Sequence, residues 1–175
     1  LIVVIGKTLN TTLELSELNR TSGSIFMTGM PGTILDDDTE AIIRDYSPAG
    51  VILFSRNIEN PLQLARLCRD LQAAAMRYHG VPLFISVDQE GGRVARLKPP
   101  FTTFPGNEVM GNDENPLERA KEFGYVTAAE MKIVGLNMDL APVLDVREGE
   151  IEEHLRGRTF SDNHRLTSKM GVAVI

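Results

Sequence analysis

The chain has 175 residues, 18 of them Lys or Arg against 24 Asp or Glu, for a formal net charge of −6. That acidity speaks against a nucleic-acid surface, which shows as a basic stripe, and against an anionic membrane. The one cysteine, Cys68, excludes an intrachain disulfide, His79, His154 and His164 lack ligand spacing for a metal, and no apolar run nears the roughly 20 residues that span a bilayer.

Residues 1–22 are weakly patterned, and the Leu1–Ile5 run is open between a strand and a mobile end. Ser24–Thr28 reads as a short strand, closed by a Met30-Pro31-Gly32 turn. Asp36, Asp37 and Asp38 place acids where a helix macrodipole favours them, with capping-box spacing from Asp37 to Glu40, and the helix runs to about Tyr46. Gly50–Phe54 is a second apolar strand. Asn60-Pro61 is an N-cap followed by proline at the first helical position. Leu64, Leu67, Cys68, Leu71, Ala75 and Tyr78 then recur at helical spacing until Gly80, so Cys68 is expected in the core.

Val81–Val87 is the third strand. Asn115-Pro116 repeats the cap-and-proline device and opens a helix that ends near Gly135. Met138–Val146 reads as a fourth strand ending in Asp145, and Asp162–Ile175 as a last helix with Leu166, Met170 and Ala173 on one face. Strands and helices alternate, which predicts an α/β fold with a parallel sheet and helices outside it. The first turn lacks the glycine spacing of a doubly wound nucleotide fold, so a (β/α)8 TIM-barrel type fits better. Such a barrel needs about 250 residues, so four strand–helix units cover roughly its first half.

Chemistry concentrates where the third strand ends. Val87 is followed by Asp88, Gln89, Glu90, Gly91, Gly92 and Arg93, with Arg96 three residues on. In parallel α/β folds functional groups gather at the carboxyl ends of strands. Two carboxylates, a flexible turn and two fork-shaped donors there suit a polyol, which must be both donated to and accepted from. A bare turn is the alternative, since Asp, Glu and Gly are common turn residues.

Five tracts in order carry a family likeness: Gly50-Val51-Ile52-Leu53-Phe54; Arg56-Asn57-Ile58; Val87-Asp88-Gln89-Glu90-Gly91-Gly92-Arg93-Val94; Leu140-Ala141-Pro142-Val143-Leu144-Asp145-Val146; and Gly157-Arg158-Thr159-Phe160. The series resembles glycoside hydrolase family 3, and most of all its bacterial β-N-acetylhexosaminidase branch. On this likeness residues 1–22 are an N-terminal extension and 23–175 the N-terminal portion of the barrel domain. The resemblance implies a retaining hydrolase of β-linked N-acetylglucosamine in cell-wall fragments, serving peptidoglycan recycling, with no metal or cofactor; the single cysteine and the lack of an evident signal favour the cytoplasm. It implies that Asp88, Arg96 and Arg158 bind the sugar, while Glu90, Arg93 and Asp145 support them.

The family's nucleophile and its histidine block have no counterpart here; Phe104-Pro105-Gly106 echoes the block without its histidines. The resemblance therefore implies no catalytic residue in this chain, an inactive 175-residue piece, and catalytic groups beyond Ile175. The acids Glu148, Glu150, Glu152 and Glu153 read as a solvated loop. Two other readings stay open: a non-catalytic carbohydrate-binding module, and a β-glucosidase of the same family. A half barrel would also be expected to self-associate through its open edges.

Overall fold

A computed structural model describes residues 18, 21–147, 149–150 and 152–175. The Leu1–Ile5 run and most of the 1–22 segment lie outside the described residues. The chain order is β1 (Met27–Gly29), α1 (Asp37–Tyr46), β2 (Gly50–Ile52), a 3₁₀ turn (Ser55–Asn57), α2 (Pro61–His79), β3 (Phe84–Val87), β4 (Gln89–Gly91) and β5 (Val94–Ala95). There follow α3 (Asn107–Gly111), α4 (Pro116–Ile133), β6 (Met138–Asp139), a second 3₁₀ turn (Glu153–Leu155) and α5 (His164–Val174).

The four-stranded sheet has the order β1-β2-β3-β6, with every pair parallel. This is the α/β architecture expected of a barrel-type domain. Its register aligns Thr28, Val51 and Ile85, and sets Val87 beside Asp139. Val51, Leu53, Ile85 and Val87 share a buried cluster with Leu64, Leu67, Cys68 and Leu71 of α2 and Ile43 of α1. Because side chains alternate along a strand, Ile52 and Ser86 face the other side, where Ser86 Oγ lies 3.1 Å from Met27 Sδ. Cys68 is buried as expected, and burial pushes its thiol up to about 12. A second cluster joins Met110, Phe123, Phe160 and Met170 under α4 and α5.

Helix starts follow the capping signals with one shift and one exception. Asp36, not Asp37, is the first cap, accepting from the Thr39 amide at 2.9 Å, and Asn60 does the same for Gln63 at 2.9 Å. Asn115 makes no side-chain capping bond, although Pro116 still opens α4.

Strand boundaries differ more. β1 starts at Met27 because Ser24–Phe26 turn locally, with Phe26 N–H donating to Gly23 O at 2.9 Å. β3 starts at Phe84 because the Gln72 side chain takes both backbone groups of Leu83, at 2.8 and 2.9 Å. The fourth strand, read as Met138–Val146, is only Met138–Asp139. Pro142 has no N–H to continue a ladder, so Asp145 lies six residues beyond the strand rather than at its end.

Helices α4 and α5 approach closely at Gly124, where a Cβ would meet Val174 O at 2.2 Å. Gly124→Ala is expected to force these helices apart and destabilise the chain by about 1–3 kcal/mol, although alanine is the better helix former. Urea unfolding checks this, and a variant as stable as the parent would show that the contact is slack.

Candidate active site

The carboxyl end of β3 carries Asp88, Gln89 and Glu90 in succession, and each does something different. Asp88 follows Ser86 in the alternation and so stands on the sheet face that carries no helices. Its Oδ2 accepts from Arg96 Nη2 at 2.7 Å, and the two side chains keep 22% and 25% of their surface exposed. Gln89 is buried, and its Oε1 accepts the backbone N–H groups of Arg96 and Leu97 at 2.8 and 2.9 Å. This clamp closes the antiparallel β4–β5 hairpin, which alternation patterns did not reveal, because its register is irregular between Gln89 and Gly91.

Glu90 points inward and is 4% exposed at the side chain. Arg158 meets it as a two-pronged fork, Nη2 to Oε1 at 2.6 Å and Nε to Oε2 at 2.8 Å. Glu90 is also the main cause that raises the Arg158 pKa. Arg158 Nη1 donates to His154 O at 3.1 Å. Three of the guanidinium's five N–H groups are thus engaged among the described residues.

Arg93 Nη2 donates to Glu153 O at 2.9 Å and to His154 O, so it holds the same turn as Arg158. Asn107 Nδ2 donates to Arg158 O at 2.7 Å. Asp145 is exposed and touches the site only as a lesser electrostatic influence on Arg158. Glu150, Glu152 and Glu153 are exposed, as a solvated loop should be; Glu148 lies outside the described residues.

The turn geometry explains the paired glycines. Gly91 and Gly92 have φ of 83° and 58°, and a Cβ on Gly92 would sit 3.0 Å from Pro105 O. The Phe104-Pro105-Gly106 tract packs there, with Gly92 N–H donating to Phe104 O at 2.8 Å. Two positions past β2, Phe54 lies under the Arg56 guanidinium, 4.6 Å from its ring centroid.

Sequence reasoning missed Asp139, the last residue of β6. Its Oδ1 accepts the Gln89 N–H at 3.0 Å. Burial first, then the nearby Asp88 and Glu90 charges, push it up to about 7. No spacing rule finds it, because Asp139 and Gln89 are 50 residues apart. The histidines lie elsewhere: His79 bonds Ser47 Oγ, His154 sits in an exposed turn, and His164 opens α5. Among the described residues no group of His, Cys, Asp and Glu is arranged to hold a metal.

The chain is thus a parallel α/β sheet with two carboxylate–arginine pairs at the carboxyl end of β3, the strand-end arrangement of a barrel-type domain. The profile of the glycosyl hydrolase family 3 N terminal domain matches residues 14–175, and the chain belongs to that family. A beta-hexosaminidase of Thiobacillus denitrificans is 38% identical over 154 residues, covering 85% of this chain and 42% of its own. The solved family 3 beta-N-acetylglucosaminidase of Paenibacillus sp. superposes with a TM-score of 0.84 at 33% identity, over 90% of this chain and 30% of its own. Native NagZ of Neisseria gonorrhoeae does so with a TM-score of 0.77 at 28% identity, over 85% and 43%. The chain thus spans less than half the length of these relatives.

Two predictions follow from the charges. Removing Arg158 leaves Glu90 buried and unpaired, whereas removing Glu90 leaves the more exposed Arg158. Arg158→Leu should therefore cost about 3 kcal/mol, more than Glu90→Leu, and the double variant should recover part of that loss. Denaturant titration of the three variants measures this, and equal single costs would contradict the asymmetry. Asp139 is raised from 3.8 to about 7. Between those values the folded chain keeps a proton that the unfolded chain has released, so stability falls as pH rises through this window. Asp139→Asn should flatten that fall in thermal melts between pH 4 and 8, and an unchanged slope would place the proton elsewhere.

Proposed function

We propose that the chain forms the sugar-binding part of a retaining β-N-acetylhexosaminidase that acts on N-acetylglucosamine in cell-wall fragments. The observation that carries this reading is the partly buried Asp88–Arg96 pair on the helix-free sheet face, in a chain that belongs to glycosyl hydrolase family 3. Asp88 accepts from sugar hydroxyls, and Arg96 and the free N–H groups of Arg158 donate to the same ring. Glu90 and Arg93 hold the turn that presents Arg158, and Asp145 tunes that arginine from a distance.

The chemistry requires one carboxylate to attack the anomeric carbon and a second group to protonate the leaving oxygen. Neither is among the residues of the mouth described above. The nucleophile and acid belong to the remainder of the length that the relatives have, and residues 23–175 are the binding portion of that domain. The compartment proposed is the cytoplasm, in keeping with a single, unpaired, buried cysteine; no helix among the described residues is long and apolar enough to cross a membrane. The sheet edges at β1 and β6 are proposed to make the isolated chain self-associate.

Fluorogenic hydrolysis tests the reading. A protein that carries this chain within the relatives' full length should hydrolyse an N-acetyl-β-glucosaminide in preference to a β-glucoside. Asp88→Ala should lower its kcat/KM by about 100-fold, the loss of one or two charged hydrogen bonds. The 175-residue chain alone should bind the saccharide without turnover. Robust turnover by the chain alone overturns the placement of the catalytic groups, and a preference for the β-glucoside overturns the proposed substrate.

A further inference from the structure

Asp139 differs from the other carboxylates of the mouth. Asp88 has Arg96 and Glu90 has Arg158, but no arginine or lysine bonds Asp139 among the described residues. Its bond is to a backbone N–H, that of Gln89, and it is made at the point where the β3–β6 ladder ends, with Val87 beside Asp139 as the last pair.

That N–H has leverage. It belongs to the peptide plane between Asp88 and Gln89, and the tilt of this plane is the ψ angle of Asp88. The same residue, Gln89, holds the Arg96 and Leu97 amides through its side chain. A closed circuit results: Asp139 holds Gln89, Gln89 holds the backbone of Arg96, and the Arg96 guanidinium holds Asp88. Both members of the exposed pair thus hang on one peptide plane.

We propose that Asp139 is a positioning residue: by holding the Asp88–Gln89 peptide plane from behind, it sets the direction in which the Asp88–Arg96 pair faces a saccharide. The inference rests on the reading of that pair as the saccharide contact. The charges that act on Asp139 are the Asp88 and Glu90 carboxylates, which carry Arg96 and Arg158 as partners, and Lys132 of α4 lines the same groove as Asp139. Burial and the two carboxylates place its proton equilibrium near neutrality, so its hold on Gln89 changes there from that of a neutral acid to that of an anion.

The test is amide and guanidinium NMR of the whole chain titrated with methyl N-acetyl-β-glucosaminide between pH 5.5 and 8.5. The wild type should show a step in affinity centred near pH 7, tracked by the Gln89 amide shift. Asp139→Asn keeps an acceptor at Oδ1 but no titrating proton, so it should hold affinity within about threefold and lose the step. Asp139→Leu leaves the Gln89 N–H unpaired and should bind about tenfold more weakly, with shifted Arg96 signals. A merely structural Asp139 would lower the melting temperature of both variants without this split. Wild-type affinity in Asp139→Leu, or a step that survives in Asp139→Asn, overturns the proposal. Should the wild type bind no saccharide at any pH, the saccharide reading fails and the positioning role with it. In that event the Gln89 shift still reports whether the hold exists: titration near pH 7 only in the wild type sustains it, and a flat curve removes it.

Discussion

A carboxylate with 4% of its side chain exposed must be paired or protonated, and this constraint on Glu90 organises the mouth of the sheet. Its partner, Arg158, is 68 residues further along the chain. To deliver that guanidinium, the segment after β6 has to return over the end of β3. Arg93 secures the returning turn by its carbonyls at Glu153 and His154, and Asn107 secures the carbonyl of Arg158 itself. Each of these bonds is ordinary in strength. Together they convert one buried charge into a fixed direction for the segment around the Glu153–Leu155 turn.

The same strand end separates stability from recognition by parity. Val87 packs among the helices, while Asp88, one residue on, alternates to the opposite face and pairs with Arg96. Gln89 between the two carboxylates is buried, and its side chain bonds the backbone of Arg96 and Leu97. Asp88, which keeps 22% of its side chain exposed, is held by a single arginine nitrogen, whereas Glu90, sealed in the interior, is held by a two-pronged arginine contact.

Much of this was legible in the sequence. The alternation of apolar runs with capped, periodic segments gave the parallel α/β class, since N-caps such as Asn60 and apolar faces such as Leu64–Leu71 act locally. The abrupt change from Ile85-Ser86-Val87 to Asp88-Gln89-Glu90-Gly91-Gly92 located the mouth. Where the reading failed, a side chain outside the strand or a proline within it had decided the outcome. Leu83 leaves the third strand because Gln72 captures its backbone, and Val143–Val146 leaves the fourth because Pro142 interrupts it. The pairing of Glu90 with Arg158 rather than with a nearer arginine, and the presence of Asp139, depend on loop return and strand register, which no local spacing encodes.

The charge count at the mouth leads to one more consequence. Three carboxylates, Asp88, Glu90 and Asp139, meet two arginines that bond them, Arg96 and Arg158. If all three were ionised, the group would carry a net charge of −1 in a partly buried place. A proton is the smallest group that removes the excess, and it settles where desolvation is large and no arginine competes. Asp139 meets both conditions: burial is the first cause of its upward shift, and its only bond among the described residues outside its own turn is to the Gln89 amide, which a neutral acid also satisfies. With the proton on Asp139, the two remaining carboxylates are matched one for one by the arginines that bond them.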